Sequence, residues 1–347
     1  MRVSLSEVDV PTIDRALLLK LSTRRSILAA SLALLNTSVY IAISLVGLTS
    51  GTPWLVLLLW PVQGLILCGV YNMMHDCVHG SFAKTAGVNE IVGSILAAAA
   101  MLNYSAYRCF HLRHHQSTRA GHDDENLLRF SGFRQYLFYL PLLPFFIGFA
   151  RISCSALCGI YPGFVTGAKA QRRTTRDSWV QLAWLTLTIT CAIHSFRTVL
   201  FLYLGPLIFY FPLMGFTGLP EHYGAPAARG SLLNTRSIDS NALFQLFFWF
   251  NNFHVEHHSF PRVPAYNLVG VRRAIENQIT HREQSYLAFH LRLIKSLLTH
   301  RAATFAVAER SAQLIVAPGL QRQGAPIRET PKADEVQPQT WNLPPST

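Results

Sequence analysis

The sequence predicts an all-α integral membrane bundle of about four transmembrane helices, with re-entrant or interfacial helices added, and three observations predict it. Half of the 347 residues are hydrophobic and only 14% are charged, against about a quarter in soluble proteins, and mean hydropathy is +0.25. The apolar residues are gathered into long runs instead of recurring at core spacing. Short basic stretches separate those runs, as in the cytoplasmic loops of membrane proteins. The net charge of +12 therefore reads as topology and not as a nucleic-acid partner.

Residues 1–25 form a cytosolic N-terminal segment. Glu7, Asp9 and Asp14 precede the first apolar run, and no short apolar region with a cleavage site marks a signal peptide. Ser26 to Leu48 is nearly uncharged and long enough to span a hydrocarbon core of about 30 Å. Its flank, Lys20, Arg24 and Arg25, belongs in the cytoplasm, so Gly51 and Thr52 form an outer turn and Pro53 to Met74 returns. His75 then emerges on the cytoplasmic side.

Ile91 to Tyr104 is apolar but short and lies between two histidine clusters, which fits a re-entrant or interfacial hairpin. Tyr136 to Phe149 is broken by Pro141 and Pro144, which favours a helix lying along the interface or entering partway. After Lys169, Arg172, Arg173 and Arg176, Trp179 to Ile193 goes out and Val199 to Leu219 returns, joined by a turn carrying Arg197. That parity puts Glu221 and His222 back in the cytoplasm. The apolar stretch Phe244 to Phe253 leads into the last histidine cluster. Residues 26–301 thus form one membrane domain; residues 302–347 form a tail, rich in Pro, Gln and Thr and disordered from about Pro318, with both termini cytoplasmic. The six cysteines, Cys68, Cys77, Cys109, Cys154, Cys158 and Cys191, lie in or beside apolar runs without CxxC spacing and read as buried reduced thiols.

Of fourteen histidines, nine fall at ligand-like spacings in four places, all assigned to one side of the membrane. His75 and His79 are an i, i+4 pair, which on a helix stands on one face. His111, His114, His115 and His254, His257, His258 repeat the pattern HxxHH. Adjacent histidines on a helix point about 100° apart, so each HH pair can serve two neighbouring metals. Eight imidazoles, or nine with His222, exceed what one tetrahedral ion accepts and suit two ions of higher coordination. The residue types leave zinc, copper, iron and nickel open. Chance histidines explain one HxxxH pair, but not three clusters at span ends.

Asp76 and Glu256 inside the clusters, and Glu221 before His222, are expected to accept the second N–H of a metal-bound imidazole. Asp123, Asp124 and Glu125 are candidates for the same role from a loop. His194, His281, His290 and His300 are assigned to the surface, and His122 is left outside the ligand set.

The stretches HDCVHGSF, YRCFHLRHHQST and NNFHVEHHSFPRVP resemble, in order, spacing and flanking residues, the three histidine boxes of the membrane fatty acid desaturase superfamily. The resemblance covers roughly Ala30 to Leu268. It implies four membrane helices with a cytosolic cap that holds two non-haem iron ions, with O2 as co-substrate. It implies His75, His79, His111, His114, His115, His254, His257 and His258 as iron ligands, and His222 by its place after the last membrane helix. Where some members carry an asparagine one turn earlier, Gly218 stands here. No haem-binding HPGG motif is present, which implies a separate electron donor of the ferredoxin, cytochrome b5 or rubredoxin type.

The leading expectation is an oxidoreductase that introduces a double bond into a fatty-acyl or related lipid chain. A di-iron lipid or carotenoid hydroxylase or ketolase fits the same boxes. A membrane metal carrier fits less well, because a transport path needs polar groups within the spans and these histidines cluster at span ends.

Overall fold

Apolar helices dominate the protein, and their lengths follow from the hydrophobic runs. The computed structural model describes residues 10–119, 123, 130–227 and 230–299. The expected tail, His122, Asp124, Glu125 and His300 lie outside the described residues. A short helix α1 (Arg15–Leu21) precedes α2 (Ser26–Thr49) and α3 (Val56–His79), each of the latter 24 residues and so about 36 Å long at 1.5 Å per residue. Gly80, at φ 66°, ends α3 directly after His79, with its N–H turned back to the Asp76 and Cys77 carbonyls.

Helices α4 (Ala86–Ala99) and α5 (Tyr104–Ser117) follow, bent by 100° relative to one another at a break around Met101. A bend of this size belongs to a broken span or to a re-entrant pair. α6 (Phe133–Tyr139) and α7 (Leu143–Leu157) are separated by the Pro141 break, where Leu142 takes a left-handed φ of 51°. Together they are long and apolar enough to cross a membrane. They pack, however, on Tyr210 and Phe211 through Phe146 and on Thr175 through Ala156. Thr175 lies in the first half of α8 (Ala168–Val199), and Tyr210 and Phe211 lie just before the middle of α9 (Gly205–His222).

The stretch Ala168–His222 is helical throughout by hydrogen bonding, yet it folds as two helices, α8 and α9, joined by a kink. Ser195 breaks the helix at φ −156°, ψ 87°, and Leu200–Leu204 form a π-helical turn. The Trp184 and Tyr203 rings meet at 5.8 Å, which nineteen residues of straight helix would forbid. The reversal therefore comes at Ser195, inside the expected turn between Ile193 and Val199. Arg197, in the same turn, reaches the Leu48 carbonyl at the far end of α2. That puts the outer ends of the spans together and the histidine ends of α3 and α9 together at the other face.

The remaining chain caps that face: α10 (Ser231–Asn234), α11 (Ala242–Phe247), α12 (His254–Ser259), α13 (Leu268–Ile275) and α14 (Tyr286–Leu298). Strands β1 (Ser237–Ile238) and β2 (Arg282–Glu283) pair in parallel to tie it together. Two thiols, Cys68 and Cys77, are buried as expected; Cys154, Cys158 and Cys191 are exposed, because they fall on outward faces of their helices.

Asp177 on α8 fastens the bent pair. Its buried carboxylate accepts from Ser94 of α4, from the Ser105 N–H and hydroxyl at the start of α5, and from the Arg176 guanidinium. Capping the first turn of α5 with an anion also suits that helix's dipole. Asp177→Ala strands these donors and is expected to destabilise the protein by about 3 kcal/mol; thermal unfolding of the detergent-solubilised variant reads it as a lowered midpoint.

Candidate metal centre

The histidines of α3, α5 and α9 sit toward helix ends that face the cap, and those of α12 lie in the cap itself. α3 delivers His75 and His79 from its last turn, α5 presents His111, His114 and His115, α9 ends on His222, and the single-turn α12 carries His254, His257 and His258. The approach to α12 is shaped by consecutive left-handed residues, Trp249 and Phe250, both at φ 57°.

The rings converge in two groups. His75, His79, His111, His115 and His257 bring one nitrogen each within 4.8 Å of one another, and His114, His222 and His258 do the same beside them. His254 joins the second group, its Nε2 lying 3.1 Å from the Nε2 atoms of both His222 and His258. Each HH pair is divided: His115 and His257 face the first group, His114 and His258 the second. The 100° step between adjacent helical residues produces this division.

Two of the separations match neighbouring ligands of one ion, and two are shorter. Nε2 atoms stand 2.7 Å apart for His75 and His111, 2.9 Å for His111 and His115, 3.2 Å for His115 and His257, and 3.3 Å for His114 and His258. With a metal–nitrogen distance of about 2.1 Å, ligands at 90° to 109° stand about 3.0 to 3.4 Å apart. The buried Nε2 of His79 has no hydrogen-bond partner at all, a lone pair left for something else. Ligands must also be neutral. Burial first, then the neighbouring imidazoles, pushes the pKa of His254, His257 and His258 well below the ordinary histidine value.

The outer hydrogen bonds fix several tautomers. His114 Nδ1 meets Asp123 Oδ1 at 2.8 Å, His222 Nδ1 meets the Asn234 carbonyl at 2.9 Å, and Tyr107 Oη lies 3.3 Å from His111 Nδ1. Asp123 was one of three loop candidates; Tyr107, one helical turn before His111, was legible by spacing and passed over. The Asn234 carbonyl has no signature in the sequence.

Asp76 and Glu256 differ from expectation, because each carboxylate bonds to the scaffold and not to a ring. Asp76 accepts from Ser81, from Trp249 Nε1 at 2.9 Å and from the Ala265 N–H. Glu256 accepts from Arg272 at 2.8 Å and from Ser237. Each faces away from its neighbouring histidines along the helix, and each ties one cluster to another part of the cap. Glu221 lies at the cluster, Oε2 3.4 Å from His254 Nε2. Of the histidines assigned to the surface, His194 is exposed. His281 and His290 are buried instead: His290 spans from the Tyr136 hydroxyl to the Phe216 carbonyl, and burial pushes its pKa down to about 4.

A cavity of about 330 Å³ opens onto the centre. His75, His111, His114, His222 and His254 form one wall, and Leu140, Leu142, Phe145, Met214, Leu219 and Phe248 line much of the rest. Such a shape, apolar with a few polar groups at one end, suits a hydrocarbon chain.

The family model described as "Fatty acid desaturase" matches residues 52–290. An sn-2 acyl-lipid omega-3 desaturase (ferredoxin), chloroplastic, of Helianthus annuus is 25% identical over 70% of this chain and 62% of its own length. A chloroplastic omega-3 fatty acid desaturase of Glycine max is 26% identical over 64% and 54%. An endoplasmic reticulum omega-3 fatty acid desaturase of Nicotiana tabacum is 26% identical over 61% and 62%. The chain thus spans between half and two thirds of the length of these relatives.

Because Asp123 orients His114, Asp123→Ala is expected to weaken metal retention about tenfold to a hundredfold. Competition with a chelator, followed by metal analysis of the protein, measures it.

Proposed function

The chain belongs to the fatty acid desaturase family, and on that premise we propose that it is an oxygen-dependent, two-iron enzyme that introduces a double bond into a fatty-acyl or related lipid chain. The observation that carries this reading is the convergence of nine imidazoles, in two groups, on the end of an apolar cavity. In it, His75, His79, His111, His115 and His257 hold one iron and His114, His222, His254 and His258 the other. The donor set fits: neutral nitrogen ligands at cis spacing, with one lone pair orphaned in a buried pocket.

Bound there, the irons would supply the oxidant that removes hydrogen from an unactivated methylene. The balance is one O2, two electrons and two protons for each double bond, giving two waters. The protein's own part is placement. The wall formed by Leu140, Leu142, Phe145 and Met214 excludes water and holds a chain so that one pair of C–H bonds faces the histidines. Asp123, Tyr107 and the Asn234 carbonyl hold the imidazoles with Nε2 inward. Electrons come from a separate carrier of the ferredoxin, cytochrome b5 or rubredoxin type, reaching the cap from a cytoplasmic face that also holds both termini.

Two outcomes test the reading. Expression in a host followed by lipid analysis gives new unsaturated acyl chains, and His257→Ala abolishes them; identical profiles from both strains would sink the proposal. Gly218 lines the cavity, and a Cβ there meets nothing nearer than Glu221 Oε2 at 4.0 Å. Gly218→Leu therefore fits the helix but fills the chain's space, and turnover is expected to fall about tenfold with iron content unchanged.

A further inference from the structure

The second group of rings faces a donor that is not an imidazole. Glu221 closes α9 beside His222 and is 8% exposed. Its Oε2 lies 3.4 Å from His254 Nε2, the same nitrogen that stands 3.1 Å from the Nε2 atoms of His222 and His258. That spacing falls among those of two ligands sharing an ion, about 3.0 to 3.4 Å. The other oxygen, Oε1, accepts from Asn251 Nδ2 at 2.9 Å, which aims Oε2 at the cluster.

Charge points the same way. Neutral imidazoles bring no negative charge to a buried site that must hold two divalent ions. Asp76 and Glu256 are engaged by the scaffold, and Asp123 meets His114 on its outward nitrogen. Glu221 instead reaches the inward side. The count differs too, with five imidazoles in the first group and four in the second.

We propose that Glu221 is a direct ligand of the second ion, giving it four nitrogens and a carboxylate oxygen while the first has five nitrogens. The proposal rests on the two-iron reading above. An anionic oxygen stabilises the higher oxidation state of an ion it touches, so two irons held here would be electronically distinct, with the second the more readily oxidised.

The test uses the full-length, iron-loaded protein in detergent and reads the metal, not the product. Glu221→Gln keeps size and the Asn251 contact; Glu221→Asp keeps the charge but shortens the reach. Mössbauer spectra of the diferrous protein are expected to change in one of two unequal doublets in the Gln variant, with iron affinity at one site falling about tenfold to a hundredfold, and to recover partly in the Asp variant. Wild-type affinity and unchanged doublets in Glu221→Gln overturn the proposal. A wild-type protein that binds no iron overturns both readings, whereas one that loads two irons but forms no alkene overturns the desaturase reading alone.

Discussion

Nine imidazoles crowded at one end of the helices set the terms for the rest of this structure. To hold a metal, each would have to keep a bare lone pair pointing inward and stay unprotonated. Two demands follow. The outward nitrogen of a ring needs a fixed partner, as Asp123, Tyr107 and the Asn234 carbonyl provide. The backbones carrying the rings must also be held against one another, because they come from four separate stretches of chain. Helices meet that second demand by ending at the site, as α3 does at Gly80 and α9 at Tyr223.

The buried acids are best understood as struts under that constraint. Asp76 binds the last turn of α3 to Trp249 and Ala265, on the approach to α12 and beyond it. Glu256 binds α12 to Arg272 of α13, and Arg272 continues to Asp239. Asp177 does the same for α4, α5 and α8 from the membrane side. Each carboxylate is far more effective as a multiple acceptor between elements than it would be on one ring. A chain with few charges to place has set them where segments distant in sequence must stay in register.

Much of this was legible in the sequence because it is periodic. The spans follow from run length, the shared face of the clusters from counting crossings, and the division of His114 from His115 from 3.6 residues per turn. What was not legible depends on contacts between distant segments. Nothing beside Asp76 announces that Trp249 will take its carboxylate, and nothing near His290 announces Tyr136 and Phe216 as partners that bury it. The helix reversal falls at Ser195, inside the expected turn, but nothing in the sequence singles that residue out from its neighbours as the break. Cys154, Cys158 and Cys191 were misjudged because an apolar residue facing lipid is exposed to the bundle's surroundings, and composition does not separate that face from the core.

The divided histidine pairs have a mechanical consequence. α5 and α12 each give adjacent rings to opposite groups, so neither helix can rotate about its axis to improve one site without spoiling the other. The spacing between the two groups of rings is thereby gauged by two rigid helical turns standing across from one another, like a pair of calipers.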